Sequence, residues 1–220
     1  YNHGGPVAHY KMDEGSGLTA YDASNIANDG TITGATYTTG QYGTALDFDG
    51  TDDVVTVSNI KYIDQDIGLE TGLTYSAWIN ADGAGQGTGG QVFFKGTNTW
   101  LRVDTLSGGR LDLQASLDLA TTDATLNVSS AVAVDTWHHV LMTYEDDADD
   151  EISIYVDGIL IGASTDGSGA PASDTNSLLI AGTTTNNFDG TIDDFRVYQY
   201  SRSAAEIRVD YNAGLSTYFR

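Results

Sequence analysis

The chain has 220 residues, 40% hydrophobic and 10% aromatic, enough to bury a substantial core as a single unit. Its 31 acidic residues against 9 basic ones leave a formal net charge of −22, a surface that repels nucleic acid and anionic lipid, because affinity for phosphate needs clustered Lys and Arg. Cysteine is absent, which excludes disulfides, thiolate metal sites and cysteine nucleophiles, and no run approaches the roughly 18 apolar residues of a membrane-spanning helix.

The 26 Gly residues, with abundant Thr, Val, Ile and Tyr, predict an all-β chain of strands joined by tight turns. Tyr1 to Pro6 read as a tail or linker. Because the chain starts at Tyr rather than Met, it is expected to be a processed product or an excised domain. The first strand-like run is "VAHYKM". After it, "YDASNIANDG" from Tyr21 to Gly30 holds two Asp and two Asn, which suit either turn formation or oxygen ligation of a hard cation. Further runs follow at short intervals: "GTITGATYT", "ALDFDG", "DVVTVS", "LTYSAWINA", "GQVFFKG", "TWLRVD", "RLDLQAS", "WHHVLMTY", "EISIYVDG", "ILIGAS", "SLLIAG" and "GTIDDFRVYQY". Many short strands with Gly, Asn and Asp punctuation predict a sandwich or barrel. "TLSGG" joins "TWLRVD" to "RLDLQ" as a hairpin, and Asp157-Gly158 supplies the positive φ angles of another. The acidic run Glu145 to Glu151 reads as a solvated hairpin loop between strands, with a second cation site as the alternative. The last element is a helix over "SAAEIRVDYNAG", with Ser203 as cap, Glu206 three residues on and Gly214 as its stop. No linker divides the chain, so residues 7–214 are expected to form one domain, with 215–220 a tail.

Within the runs, Val140, Met142 and Tyr144 share one strand face, as do Ile152, Ile154 and Val156. Trp78 and Trp137 read as core anchors. His138 and His139, neighbours on a strand and so facing opposite ways, read as structural. In "GTIDDFRVY", alternation puts Asp193 on the face of Phe195 and Val197, a carboxylate at the edge of an apolar layer that needs a partner.

Seven segments in order carry a resemblance: "VAHYKMDEGSG", "YDASNIANDGTITGA", "GQYGTALDFDGTDDVVTV", "LTYSAWINA", "TWHHVLMTYEDD", "ISIYVDG" and "FDGTIDDFRVYQYSRSAAEIRVDYNAG". Together they resemble the bacterial laminin-G-like, concanavalin-A-like jelly-roll domains, over nearly the whole chain. The resemblance implies a two-sheet antiparallel jelly-roll sandwich, used in extracellular proteins mostly as a binding module, and so a chain that is part of a larger multidomain surface protein. It also implies a structural calcium ion held by a D-x-S-G-x-x-N-x-G loop together with the late strand's aspartate. In this chain those positions are Asp22, Asn25 (in place of the usual Gly), Asn28 and Asp193. The alternative is an Asx-turn loop, with Asp193 bonded to backbone N–H groups.

The expected partner is a glycan or cell-surface polysaccharide, with no nucleic acid and no membrane insertion. Alternation puts Trp100, Arg102 and Asp104 on one face, opposite Leu101 and Val103, and Arg110, Asp112 and Gln114 opposite Leu111 and Leu113. Paired as a hairpin, these six residues offer the aromatic and planar polar groups that match sugar C–H patches and hydroxyls. The other reading is an ordinary polar outer face. The resemblance also implies a further alternative, a glycoside hydrolase or polysaccharide lyase of the same fold, but catalysis is not expected. Retaining hydrolases of this fold need paired Glu on one strand, and the Glu residues here are Glu14, Glu70, Glu145, Glu151 and Glu206, none so paired. A structural spacer in an adhesin, pilus or filament is the remaining alternative.

Overall fold

A computed structural model describes residues 4–58, 72–147, 149–172, 175–183 and 185–215. Among the described residues the elements in chain order are β1 Ala8–Tyr10, β2 Thr19–Ala20, β3 Gly30–Thr33, β4 Thr36–Thr39, β5 Thr44–Asp49, β6 Val54–Val57, β7 Gly72–Ala81, β8 Gly90–Lys95, β9 Thr99–Ser107, β10 Arg110–Leu117, β11 Ala124–Ala133, β12 Trp137–Glu145, β13 Glu151–Val156, β14 Ile159–Ser164, β15 Leu178–Ile180, β16 Asp189–Tyr198 and α1 Ala204–Leu215. Hydrogen bonding orders one sheet β14-β13-β12-β7-β16-β5-β4, with β1 also on β16, and the other β11-β10-β9-β8-β15-β6-β3-β2. The described pairings between strands are antiparallel, so this is the two-sheet sandwich expected. Alternation drives it: each sheet buries one row, such as Leu101, Val103, Leu111 and Leu113 from one and Val140, Met142, Ile152 and Ile154 from the other. Tyr75 and Phe93 stack at 4.1 Å between centroids and join the two layers at the centre.

The turns form as their residues dictate. Asp157 and Gly158 take φ of 52° and 76° between β13 and β14, and Gly108 and Gly109 take 59° and 75° between β9 and β10. Both pairs meet the positive-φ demand of a two-residue hairpin. The Ser203 cap closes on Glu206 in both directions: Ser203 N–H donates to Glu206 Oε2 at 2.9 Å, and Glu206 N–H to Ser203 Oγ at 3.4 Å. The helix passes through Gly214 to Leu215, one residue beyond the expected stop.

Four expectations change. β11 is not among the expected strand runs, although Leu126, Val128 and Val132 recur along it, Val132 within the core and the other two packed against it. Trp137 is only half-buried. Trp78 is buried, but on the outer side of its sheet: it lies under α1, stacked on Tyr211 at 5.6 Å and edge-on to Tyr42 at 5.6 Å. Finally, Asp193 does not share the face of Phe195 and Val197. β16 bulges there, with Asp193 opposite Trp78 and Arg196 opposite Ser76, so three steps on β16 match two on β7. Asp194 absorbs the extra residue in the left-handed region, at φ 52°. The bulge turns Asp193 outward while Phe195 and Val197 remain in the core.

Candidate functional site

The β9–β10 hairpin sets Arg102 opposite Gln114, Asp104 opposite Asp112 and Trp100 opposite Ser116. Arg102 donates through Nε and NH2 to Gln114 Oε1, at 3.0 and 2.6 Å, and Gln114 Nε2 donates to Asp104 Oδ2 at 3.0 Å. The Arg102 guanidinium lies 4.4 Å from the centre of the Trp100 ring, whose Nε1 donates to Asn98 Oδ1 at 3.1 Å. Phe94 of β8, half-buried, is registered against Trp100. Trp100, Arg102, Asp104 and Gln114 thus form one bonded row on the outer face of this sheet. Arg110 and Asp112 serve a different end. β11 carries extra residues opposite them, Leu111 pairing with Val132 and Leu113 with Val128. Arg110 donates to Ser130 O and Ala131 O at 2.8 and 2.9 Å, and Asp112 Oδ1 accepts from Ser130 N–H at 2.8 Å, stitching that bulge.

The Asn/Asp-rich loop is closed by its own backbone. Asp22 Oδ1 accepts from His9 N–H and Ser24 N–H, and Oδ2 from Ser24 Oγ–H and Asn28 N–H, all between 2.8 and 2.9 Å. Two donors on each oxygen use its lone pairs in full. The Asn28 carbonyl accepts from Tyr10 Oη at 2.6 Å, while Asn25 is exposed. The left-handed residue is Ala27, at φ 59°, rather than Asn25. Tyr10 of β1 bridges Asp22 on one side and pairs with Phe195 on the other, so β1 stands between Asp22 and the end of β16 that holds Asp193. As a calcium site, Asp22, Asn25, Asn28 and Asp193 do not fit: the first has no lone pair to offer, and the last faces another space. The geometry is that of the Asx-turn alternative. Among the described residues, three carboxylates close within 4.8 Å of one another only at Asp49, Asp52 and Asp53, from the last residue of β5 into the turn that follows.

Asp193 opens onto a cleft of 280 Å³ lined by His9, Lys11, Asp13, Tyr42, Arg196 and Asp210, among others. The fold creates this space at a joint. β5 pairs with β16 from Asp189 to Ile192 and β1 pairs with it from Phe195 to Val197, so neither strand covers Asp193 and Asp194. The β1 and β5 ends are tied across the joint by Thr44 Oγ1–H to Met12 O at 2.8 Å and Thr44 N–H to Asp13 Oδ1 at 3.0 Å. Tyr42 N–H donates to Asp193 Oδ2 at 2.9 Å. Gly40 allows this, since a Cβ there would lie 2.7 Å from that same oxygen. Asp193 is 1% exposed, and its Oδ1 has no hydrogen-bond partner. Burial, with Asp194 and Asp13 adding, pushes its carboxyl up to about 7 against the Tyr42 N–H, which lowers it. Burial acts the same way on Asp194. There, however, His9 Nε2 at 2.5 Å and Arg196 NH2 at 2.7 Å outweigh it and hold the carboxyl below the usual range. Asp210 of α1 is held by Arg202 at 2.6 Å.

The fold and its two polar features, a bonded aromatic row on one sheet and a charged cleft on the other, define a lectin-type jelly-roll sandwich. The family model of the concanavalin A-like lectin/glucanases superfamily matches residues 49–208, and the chain belongs to that superfamily. None of the curated protein sequences matches it. Among solved structures, domain 4 of AbnA, an extracellular arabinanase of Geobacillus stearothermophilus solved with arabinotriose, is similar at TM-score 0.68 and 17% identity, over 94% of this chain and 97% of that one. The binding domain of Paraclostridial Mosquitocidal Protein 1 is similar at TM-score 0.72 and 15% identity, covering 94% and 52%. The botulinum neurotoxin serotype G binding domain is similar at TM-score 0.69 and 13% identity, covering 97% and 52%. This chain therefore spans about half the length of the two toxin chains. At these identities the likeness is one of fold.

Proposed function

We propose that this chain is a non-catalytic carbohydrate-binding module and that its glycan lies along the outer face of β9 and β10. The observation that carries this reading is the Trp100–Arg102–Gln114–Asp104 row. An indole and three planar polar groups are already bonded in fixed orientation on a sheet face, so little side-chain freedom is lost when a sugar stacks there. The arabinotriose complex of the AbnA domain supports a pentose or hexose oligosaccharide as the class of ligand. A binding role also suits the carboxylates on this face. Asp104 and Asp112 oppose each other in register, and both serve structural hydrogen bonds, Asp104 with Gln114 and Thr105 N–H and Asp112 with Ser130 N–H. The net charge of −22 and the extracellular arabinanase relative support a place outside the cell, within a larger surface protein. Glycan-array binding followed by calorimetry with arabino-oligosaccharides tests this. Trp100→Ala is expected to lose at least tenfold in affinity with the melting temperature retained, and undiminished binding overturns the assignment.

A further inference from the structure

We propose a second ligand site, on the opposite sheet from Trp100: the cleft at the β1–β5 joint takes a small polyhydroxylated molecule bearing a primary ammonium, of the amino-sugar class, with the ammonium seated on Asp193. Three observations carry it. The first is Asp193 Oδ1 itself, a buried acceptor without a hydrogen-bond partner, on a carboxylate that is 1% exposed and belongs to the cleft lining. Such an oxygen is costly to leave unmatched. The second is charge. His9 and Arg196 bracket Asp194, and Arg202 holds Asp210. That leaves the carboxylates of Asp13 and Asp193 facing Lys11 alone, one positive charge short, and Lys11 is exposed.

The third is size and ligand number. A bare metal ion needs several converging oxygens, and among the described residues no three acidic or His ligand atoms lie within 4.8 Å of one another at this cleft. At 280 Å³ it holds a ring rather than an ion. Asp13, Lys11 and Arg196 on its walls are of the type that pairs with hydroxyls.

The site is independent of the Trp100 face, and the experiment keeps the two apart. The whole chain is titrated with glucosamine, N-acetylglucosamine and glucose by chemical-shift perturbation, at a pH just above 7, where more than half of Asp193 is ionised and the glucosamine amine still carries its proton. Glucosamine is expected to bind at least tenfold more tightly than the two neutral sugars and to shift resonances of Tyr42, Thr44 and Arg196. Asp193→Asn, which keeps an acceptor for Tyr42 N–H, is expected to abolish that preference, while Trp100→Ala leaves it intact. Equal affinity for all three sugars, or no binding of glucosamine at 50 mM (a ceiling set at roughly ten times a weak millimolar affinity), overturns the proposal. So does calcium binding that Asp193→Asn removes, which would make the cleft an ion site. Because the wild-type chain alone discriminates the three sugars, the test stands even where the variant fails to fold.

Discussion

His139 shows what burial does to a single side chain here. It is 3% exposed, packed beside Trp78 at 5.2 Å and within 6.4 Å of the Tyr211 ring, and burial, with Arg196 adding, lowers its pKa from 6.5 to about 4. The unfolded chain takes up this proton below 6.5 and the folded chain only near 4, so stability is lost as pH falls through that interval. His139→Phe keeps an aromatic in the stack and removes the titration. Its stability relative to wild type is expected to rise between pH 6.5 and 4, by on the order of 3 kcal/mol at 1.36 kcal/mol per pH unit. Urea unfolding at four pH values would check it, and a pH-independent difference would contradict it. Asp22 makes a second case. Asp22→Ala strands the His9, Ser24 and Asn28 N–H groups and is expected to cost roughly 3 kcal/mol. With both oxygens saturated by these donors, EGTA is expected to leave the wild-type melting temperature where it is. A chelator-induced drop would restore an ion to this loop.

Among the described elements, α1 is the one helix laid against the sandwich. It roofs Trp78 through Tyr211, and Arg202 and Asp210 anchor it by a 2.6 Å ion pair. Ser203→Ala removes the hydroxyl half of its capping box and is expected to cost about 1 kcal/mol, read as a shift in denaturation midpoint with unchanged slope. The cap was legible because Ser and Glu at that spacing name their own hydrogen bonds. The hairpins were legible for the same local reason: Asp157-Gly158 and Gly108-Gly109 fall where only positive φ closes the turn. The bulge in β16 was not. One extra residue at Asp194 leaves the spelling of "TIDDFRV" as regular as before, but it reverses the side to which Asp193 points, and only pairing with β7 reveals it. The same limit applied to Arg110 and Asp112. Alternation along β10 grouped them with Trp100, whereas an irregularity on β11, a strand not anticipated, draws them to Ser130 and Ala131. Fold class therefore emerged from periodicity and turn chemistry, while membership of each site depended on register, which neighbouring strands decide.

For the molecule as a whole, a net charge of −22 on 220 residues means that folding gathers like charges. Screening shortens their reach to about 10 Å at 0.1 M ionic strength and less above it. The melting temperature is thus expected to climb by several degrees between roughly 10 and 300 mM sodium chloride, with a flat profile showing that the acidic groups are already neutralised in pairs. Position of the strands in the chain has another effect. β16, the last of the described strands, lies inside its sheet between β7 and β5 and also receives β1, the first of them. During synthesis β1 and the β4–β5 pair consequently wait for β16 before they can join the rest of their sheet. Assembly of such distant partners is slow, and the waiting apolar rows are the stage at which this sandwich most needs a chaperone.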